Sequence, residues 1–433
     1  MKAPLRVGIA GLGVVGGGTV KLLAHARDLL RQRVGREIVV TAVSARDRAK
    51  ARGLGCEDVP WVEDAADLAT RNDVDVVAEL IGGEDVARRV IEAAISQGKH
   101  VVTANKSLLS KHGTALARAA EERGVALAFE AAVAGGIPII KALREGLVAN
   151  RVTRVQGILN GTCNYILTQM EASGRSFHDV LAEAQVLGYA EADPTLDVGG
   201  FDTAHKLALL TSLAFGTEVD LEGVTTEGIE RITPLDIVFA REFGYRIKLL
   251  GVASATARGV EQRVHPAMVP LDTPLADVSG VFNAIVTQSD YAGKSVFEGR
   301  GAGEKPTASA VVSDLVDIAR GLRLPAFVRP AAELEEARRS PTDDRVGPFY
   351  LRFQVLDKPG VLSIISRGLA RGGISIESMI QRGRAPGESV PIVMLTHESR
   401  EGDLKAALSL IAEEEVIMEP PCMIRIERFQ GDK

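Results

Sequence analysis

The chain has 433 residues, 46% of them hydrophobic and 25% charged, which is enough for two or three domains with substantial cores. A net charge of −6 argues against a nucleic-acid-binding protein, which usually carries a basic face. The three cysteines are widely spaced, which argues against a disulfide framework or a cysteine zinc site. Without a signal-peptide core or an apolar run of about 20 residues, we expect a cytoplasmic protein that has no membrane segment.

The first predicted elements form a dinucleotide-binding unit. An apolar strand at 5–10 is followed by the glycine-rich turn GLGVVGGG (11–18) and then by a helix. Gly11 permits the tight turn, Gly13 lets the backbone approach a pyrophosphate, and Gly16 allows close helix–strand packing. The residues of this turn that we expect to contact the cofactor are Gly11, Leu12, Gly13, Val14, Val15 and Gly16.

The second predicted strand, at 38–44, lacks the terminal acidic residue that usually holds the ribose of NAD. Arg46 follows this strand, and its guanidinium suits a 2′-phosphate. We therefore expect NADP(H) to be accepted, without excluding NAD(H). A later strand at 100–103 leads to Lys106, at the edge where doubly wound sheets bind ligands. Further parallel strands are predicted at 73–80 and 125–129, and further cofactor contacts at Thr103, Lys106 and Gly303.

Beyond Pro138 the alternation of strands and helices ends. Helices are predicted at 139–148 and 166–171, with a strand at 152–159 between them. Short strands at 246–253, 260–266, 280–287 and 294–298 predict an open mixed sheet, which we expect to be a dimerisation surface. A second glycine-rich loop at 299–303 precedes a helix at 309–320 that returns to complete the first domain.

The most informative stretch is GYAEADPTLDVGGFDTAHK, at 188–206. It carries four carboxylates and ends on Lys206. Asp202 is predicted to be the N-cap of an apolar helix at 204–216, and Lys206 lies one turn later on the same face. Such a lysine either snorkels beside Asp202 or is an active-site ammonium in an acidic pocket. These residues alone leave both readings open.

The chain resembles the homoserine dehydrogenases in six stretches that follow the family's order between residues 5 and 325. They are GLGVVGGG (11–18), TANKSLLSKHG (103–113), EAAVAGGIPII (130–140), GILNGTCNYIL (157–167), LGYAEADPTLDVGGFDTAHK (187–206) and GRGAGEKPTASAVVSDL (299–315). One departure is Cys163, where the family commonly has threonine. The resemblance implies the reversible NAD(P)H-dependent reduction of aspartate 4-semialdehyde to homoserine.

The resemblance also implies roles for individual residues. Lys206 would be the proton donor, and Asp202 would orient it. Glu191 would bind the substrate ammonium, with Asp197 in the same pocket. Lys106 would contact nicotinamide and substrate, and is the rival candidate for acid–base chemistry.

The segment from Glu130 to Ile137 resembles a monovalent-cation site. The Glu130 side chain and the backbone oxygens of Val133, Gly135 and Ile137 would bind a hard ion such as sodium. From the residues alone, the two adjacent glycines of this segment predict only a tight turn.

The C-terminal part is predicted to be a second small domain at 347–430, after a charged linker at 333–346. Its order of elements, βαββαβ, is that of a ferredoxin-like sandwich. The LDKPGVL turn resembles an ACT domain, which implies an amino-acid effector, with threonine the most plausible. We expect the tail to fold separately and to act through a homodimer or homotetramer without direct contact to the active site. The alternative is a module that serves only assembly.

The first domain is therefore predicted at 1–137, completed by 304–325, and the substrate and dimerisation domain at 138–303. Two other functions stay open. A phosphorylating semialdehyde dehydrogenase would need a thiolate, for which Cys163 is the best-placed residue. A non-catalytic amino-acid sensor on a Rossmann scaffold would not need Lys106, Glu191, Asp202 and Lys206 together, so this set of residues argues against it.

Overall fold

The structure is a computed structural model that describes residues 3–382 and 387–427. The predicted end of the tail domain, residue 430, lies outside the described residues. Within the described part of the chain, no helix has both the length and the apolar character needed to cross a membrane.

The N-terminal third forms an all-parallel sheet of five strands, in the order β2-β1-β3-β4-β5. Its strands are β1 (Leu5–Ala10), β2 (Ile38–Ser44), β3 (Val76–Glu79), β4 (His100–Thr103) and β5 (Leu127–Ala128). Its helices are α1 (Val14–His25), α2 (Arg27–Val34), α3 (Asp85–Ser96) and α4 (Lys106–Glu122). The strand order reverses between β1 and β3, which opens a ligand crevice at their carboxyl ends.

The predicted bounds of β1, β2 and β4 are confirmed, whereas β3 and β5 are shorter than predicted. Strand β5 pairs with β4 at only two positions, Val101 with Leu127 and Val102 with Ala128. Apolar residues continue on both sides of Leu127 and Ala128, so the hydrophobic stretch of the sequence is longer than the part that pairs with β4.

The middle of the chain adds a mixed sheet covered by helices. Its strands are β6 (Val152–Ile158), β7 (Val224–Thr226), β8 (Tyr245–Thr256), β9 (Gly259–Pro270), β10 (Phe282–Ser289) and β11 (Gly293–Arg300). Its helices are α5 (Ile139–Lys141), α6 (Gly161–Ser173), α7 (Phe177–Val186), α8 (Thr195–Val198), α9 (Phe201–Phe215), α10 (Pro234–Glu242), α11 (Pro274–Asp277) and α12 (Glu304–Arg320). The apolar helix α9 lies against this sheet, with Leu207, Leu210 and Leu213 in the core. The helix predicted at 139–148 is short, because it widens into a π-helical turn at 142–146.

Helix α12 returns to the first sheet as predicted. Its Val311 and Leu315 share a core with Val7 and Ile9 of β1. A Cβ atom on Gly18 would lie 2.6 Å from the Cγ atom of Glu304, so only glycine allows α1 to approach α12 this closely. The domain boundaries at 137 and 303 stay a prediction.

The tail has the predicted βαββαβ order with one short extra strand pair. Its elements are β12 (Val346–Gly347), β13 (Phe349–Leu356), α13 (Val361–Arg371), β14 (Ile376–Gln381), β15 (Ser389–Thr396), β16 (Ser399–Arg400), α14 (Glu401–Ala412) and β17 (Cys422–Ile426). The main strands lie in the order β17-β13-β15-β14, and β12 pairs with β16. Helices α13 and α14 cover one apolar face, with Ile365 and Leu404 in its core.

The tail and the middle of the chain share one continuous sheet, because β17 pairs in parallel with β9. The backbone amide of Glu427 also donates to the carbonyl oxygen of Met268 at 2.9 Å. The predicted linker is ordered, and Arg339 within it holds Asp220 at 2.7 Å. These contacts speak against the expectation that the tail folds separately.

A buried ion cluster also joins the two parts. Arg425 on β17 is 1% exposed. Its guanidinium donates to Glu227, at 2.7 and 2.9 Å, and to Glu401, at 2.8 Å from Nε. Glu227 directly follows β7, whereas Glu401 begins α14 of the tail. The tail therefore contacts the middle of the chain directly, whereas the expectation that an effector acts on the active site through the oligomer, without direct contact, stays a prediction.

Candidate active site

Helix α9 positions the two central residues of the site. It begins at Phe201, earlier than predicted, because Gly200 takes the left-handed conformation (φ +85) and turns the chain into the helix. Asp202 is therefore inside the first turn and is not the N-cap. Its carboxylate is thus free to meet Lys206, four residues later on the same face.

Lys206 is a buried ammonium with two strong acceptors. Lys206 is only 8% exposed. Its Nζ atom donates to Oδ2 of Asp202 at 2.6 Å and to the carbonyl oxygen of Leu159 at 2.7 Å. A protonated lysine has three donors, so one remains for a substrate oxygen. Burial lowers the pKa of Lys206, although Asp202 opposes this effect.

Asp202 lies between two lysines. Its second oxygen, Oδ1, is 3.0 Å from Nζ of Lys106, the first residue of α4. The side-chain amide of Asn160 donates to Oδ2 at 2.9 Å. Burial acts to raise the pKa of Asp202, but Lys206, Lys106 and Asn160 together outweigh it and hold the pKa well below its usual range. Asp202 is therefore a permanent anion at neutral pH.

The two lysines differ in how firmly they hold a proton. Lys106 is 41% exposed, and the charge of Asp202 raises its pKa above the ordinary value. The pKa of Lys206 moves in the opposite direction because burial dominates there. Loss of a proton is therefore made easier at Lys206 and harder at Lys106.

Asn160 organises the pocket, although no role was predicted for it. Its side-chain amide donates to Asp202 and also to Oδ1 of Asp197, at 2.7 Å. Its oxygen accepts the backbone amide of Cys163 at 2.8 Å and so caps α6. An Asn-Gly pair directly after a strand is an N-cap signal that would have pointed to this position.

Glu191 is the one predicted site residue that the structure leaves apart from this cluster. It lies exposed in the loop before α8, and within the described residues its carboxylate makes no hydrogen bond. Its charge nevertheless contributes to the raised pKa of Lys106, after Asp202, which is the main cause. Asp197 is half-buried, and burial raises its pKa.

The environment of Cys163 does not suit a nucleophile. The thiol is fully buried and donates to the backbone oxygen of Asp197 at 3.1 Å. Burial and the nearby carboxylates raise its pKa well above the ordinary value, so the thiolate is disfavoured. His205 is hydrogen-bonded through Nδ1 to the hydroxyl of Ser110 at 2.8 Å.

Comparison with known proteins matches three parts of the chain to known families. Residues 11–130 match the NAD-binding domain of homoserine dehydrogenase, residues 138–316 match the homoserine dehydrogenase family model, and residues 349–416 match the ACT domain. The chain is 45% identical to a homoserine dehydrogenase of Neisseria gonorrhoeae, over 98% of this chain and 99% of that protein.

Solved structures are also similar. A homoserine dehydrogenase from Thiobacillus denitrificans has a TM-score of 0.93 and 44% identity, covering 98% of both chains. The chain belongs to the homoserine dehydrogenase family. A hyperthermophilic archaeal homoserine dehydrogenase in complex with NADPH has a TM-score of 0.64 and 25% identity, over 75% of this chain and all of that one. Members of the family are NAD(P)-dependent oxidoreductases that act on a CH–OH group, and so is this chain.

The glycine-rich turn of this homoserine dehydrogenase fits a dinucleotide. Gly11 takes φ +100, and a Cβ atom on Gly16 would collide with the carbonyl oxygen of Gly11. A Cβ atom on Gly13 would meet no atom within 4 Å, so the backbone there is open to a ligand. Val14 is 65% exposed on the same turn, whereas Leu12 is buried. Leu12 therefore supports the turn from inside.

The remaining predicted cofactor residues differ in their surroundings. Arg46 is exposed beyond the end of β2. The hydroxyl of Thr103 is fully buried and donates to Glu79 at 2.6 Å, so it supports the loop that carries Lys106. Gly303 takes φ +114 and starts α12, next to α1.

The predicted cation segment is a tight buried turn. Ala134 and Gly135 both take left-handed conformations, with φ values of 55 and 52. Both oxygens of Glu130 accept backbone amides, from Ile140 at 3.0 Å and from Lys141 at 2.9 Å. Burial, with the nearby Asp314, raises the pKa of Glu130 to about 7. The described residues contain no group of three or more His, Cys, Asp or Glu side chains arranged to hold a metal ion.

Proposed function

We propose that this homoserine dehydrogenase catalyses the reversible NAD(P)H-dependent reduction of L-aspartate 4-semialdehyde to L-homoserine. The observation that supports it most directly is the buried ammonium of Lys206, which has one donor left and is held by Asp202 and the Leu159 carbonyl. Bound nicotinamide supplies the hydride for the aldehyde carbon.

Lys206 would stabilise the alkoxide that forms on the substrate and give it a proton. Its lowered pKa makes the proton easier to release, and the anionic Asp202 keeps the ammonium in place. Lys106 would hold the other oxygen of Asp202 and contribute positive charge near the cofactor. Glu191 and Asp197 would bind the substrate ammonium.

The test is a cofactor-oxidation assay with aspartate semialdehyde, and with homoserine in reverse. In the reductive direction the protonated form of Lys206 acts, so the rate falls as pH rises through its lowered pKa. In the oxidative direction the neutral amine acts, so the rate rises over the same range. Absence of turnover in both directions with either cofactor would contradict the proposal.

We further propose that the enzyme accepts NADP(H) and is not strictly selective for NAD(H). The exposed Arg46 and the lack of an acidic residue at the end of β2 support this proposal.

We also propose a monovalent cation, such as sodium, in the turn that follows Glu130. The hard oxygen donors would be the Glu130 carboxylate and the carbonyls of Val133, Gly135 and Ile137, which suits sodium better than a softer metal. A cation there would favour the ionised form of Glu130, whose pKa is about 7. Sodium should therefore bind more tightly at pH 8 than at pH 6 and release a proton on binding. Equal binding at both pH values would exclude Glu130 as a ligand.

For the tail we propose regulation by an amino acid, most plausibly threonine. A cavity of about 320 Å³ lies at the Asp357–Gly360 turn, next to the start of α13. Gly360 takes φ +97 there, and open amides at a helix start suit a carboxylate. The contact of Arg425 with Glu227 offers a path within one chain, because Ile229 donates to the carbonyl oxygen of Val198, next to Asp197.

The experiment is a titration of threonine and other aspartate-family amino acids against the full-length enzyme and Gly360→Ala. A single substitution tests the sensor more specifically than removal of the tail does. Removal would also expose the edge of β9 and take Arg425 away from Glu227. Inhibition of the wild type that weakens in Gly360→Ala supports the sensor. If no amino acid alters activity or thermal stability, the tail is an assembly module.

Finally, we propose that the enzyme is cytoplasmic and works as a homodimer or homotetramer built on the open mixed sheet. The composition of the chain and the length of the sheet support this proposal. Sedimentation at several concentrations tests the assembly, and a monomer at all of them would contradict it.

A further inference from the structure

A cavity of about 840 Å³ lies between the mixed sheet and the tail. It shares no lining residue with the active-site group of Lys106, Asn160, Asp197, Asp202 and Lys206, here called the Lys206 cluster. Its volume is within the range of about 300–1,000 Å³ that is usual for small-molecule sites. One wall is formed by β6, β8, β9 and β10, and the other by the segment 340–348 together with Arg400.

The lining of this cavity is strongly cationic. Its cationic side chains are Arg154, Arg258, Arg263, Lys294, Arg345 and Arg400. Its acidic side chains are Glu261, Asp344, Glu398 and Glu427. The lining therefore carries an excess of two positive charges at neutral pH, although the whole chain has a net charge of −6.

Three guanidinium groups converge on one carboxylate, that of Glu427. Arg154 pairs with one of its oxygens, and Arg263 and Arg345 donate to the other at 2.8 and 3.4 Å. The side chains of Arg263 and Arg345 are only 3% and 7% exposed. Glu261 pairs with Arg263, so Arg154 and Arg345 are the two cations that Glu427 alone cannot neutralise.

Part of the hydrogen-bonding capacity of these arginines is unused. Within the described chain, the buried Nε of Arg154 and the buried Nη1 of Arg345 have no hydrogen-bond partner. A buried donor without a partner costs about 1–3 kcal/mol. Both donors belong to guanidinium groups that line the cavity and pair with Glu427 through another nitrogen, and the two donor atoms themselves are closed off from solvent.

We propose that this cavity binds a small phosphate-bearing metabolite, whose phosphate is held by Arg154 and Arg345. A phosphate monoester carries a charge near −2 at neutral pH, which the excess of two positive charges over the whole lining would balance, one of them from the arginines around Glu427 and Glu261. Guanidinium forks match phosphate oxygens well. A compact dianion suits guanidinium groups gathered around one carboxylate, whereas a dicarboxylate would separate its two charges.

The ligand would connect two parts of the chain. Arg154 lies on β6 of the mixed sheet, whereas Arg345 directly precedes β12 of the tail. Bound phosphate would therefore stabilise the junction between them. This inference does not depend on the proposed reaction, because no residue of the Lys206 cluster takes part.

The test is calorimetric titration of the full-length enzyme with inorganic phosphate, adenosine 5′-monophosphate and succinate, at constant ionic strength. Saturating NADPH is present throughout so that the dinucleotide site is filled. We expect saturable binding of the two phosphates, and weaker binding of succinate. Arg154→Gln should weaken phosphate binding at least about tenfold, as expected for one lost charge-assisted hydrogen bond.

Two further variants keep the test decisive. Arg400 lies at the more exposed rim of the cavity, so Arg400→Gln should weaken phosphate binding less than Arg154→Gln does. It replaces Arg154→Gln in the test if that variant does not fold. The matched control is Arg27→Gln, an exposed arginine on α2, which should bind phosphate like the wild type. The inference is overturned if neither phosphate binds saturably, if binding is unchanged in the folded cavity variants, or if succinate binds as tightly as the phosphates.

Discussion

Two buried ion clusters in this enzyme each place one charged group between two groups of the opposite sign. The signs of the charges are reversed between the two clusters. In the active site, one carboxylate, Asp202, lies between the lysines Lys206 and Lys106. At the junction with the tail, one guanidinium, Arg425, lies between the carboxylates Glu227 and Glu401. Lysine can lose a proton when burial lowers its pKa, but arginine stays charged. The first cluster can therefore take part in proton transfer, whereas the arginine of the second cannot and instead joins two parts of the chain.

The comparison predicts that Lys206 is essential for turnover. Lys206→Ala should lower kcat by about 10²–10⁴-fold, the usual contribution of a general acid, with cofactor affinity largely kept. Lys206→Arg should be nearly as inactive, because it keeps the charge but not the removable proton. Steady-state kinetics and NADPH titration measure both effects. Near-normal turnover in Lys206→Ala would assign the acid to Lys106, and an equal loss of cofactor affinity would mean that Lys206 is structural.

Arg425 should show the opposite pattern. Arg425→Leu removes the shared partner of two carboxylates and leaves the fully buried one, Glu401, with Lys405, so it should lower the free energy of unfolding by about 3–5 kcal/mol. Arg425→Lys should retain part of this stability. Urea denaturation is the measurement, with the exposed Arg27→Ala as the control that stays within about 0.5 kcal/mol of wild type. Wild-type stability in Arg425→Leu would show that the junction cluster is dispensable.

The junction cluster also predicts a loss of stability in acid. Burial acts to raise the pKa of Glu401, but Arg425 and Lys405 outweigh it and lower the pKa to about 2. Its ionised form therefore contributes stability above the ordinary glutamate pKa of about 4.3, and this contribution is lost as pH falls toward 2. Urea midpoints between pH 5 and pH 3 should fall more steeply in the wild type than in Arg425→Leu. If the urea midpoints of the two proteins fall equally with pH, the loss of stability in acid does not come from Glu401 and its pairing with Arg425.

The smallest expected effect is on cofactor choice. Arg46→Ala should weaken NADPH binding about tenfold and leave NADH binding nearly unchanged, because only NADPH has a 2′-phosphate for the guanidinium. Fluorescence titration with both cofactors measures the difference. Equal weakening of both would show that Arg46 does not recognise the phosphate.

Local patterns in the sequence predicted most of the fold. The glycine-rich turn after β1, the parallel strands and the βαββαβ tail follow from hydrophobic periodicity and turn residues, which act over short distances. The i,i+4 pairing of Asp202 with Lys206 also follows from helix geometry, whichever residue begins the helix.

The long-range contacts became visible only in the tertiary structure. No local pattern places Lys106 against Asp202, Asn160 against both Asp197 and Asp202, or β17 beside β9. The pKa values of the two lysines move in opposite directions because burial and neighbouring charge depend on the packed chain, not on sequence spacing. The sequence by itself thus determined the elements and the residue types available for catalysis. The tertiary structure decided how burial and neighbouring charge act on each lysine, and that the tail is joined to the middle of the chain.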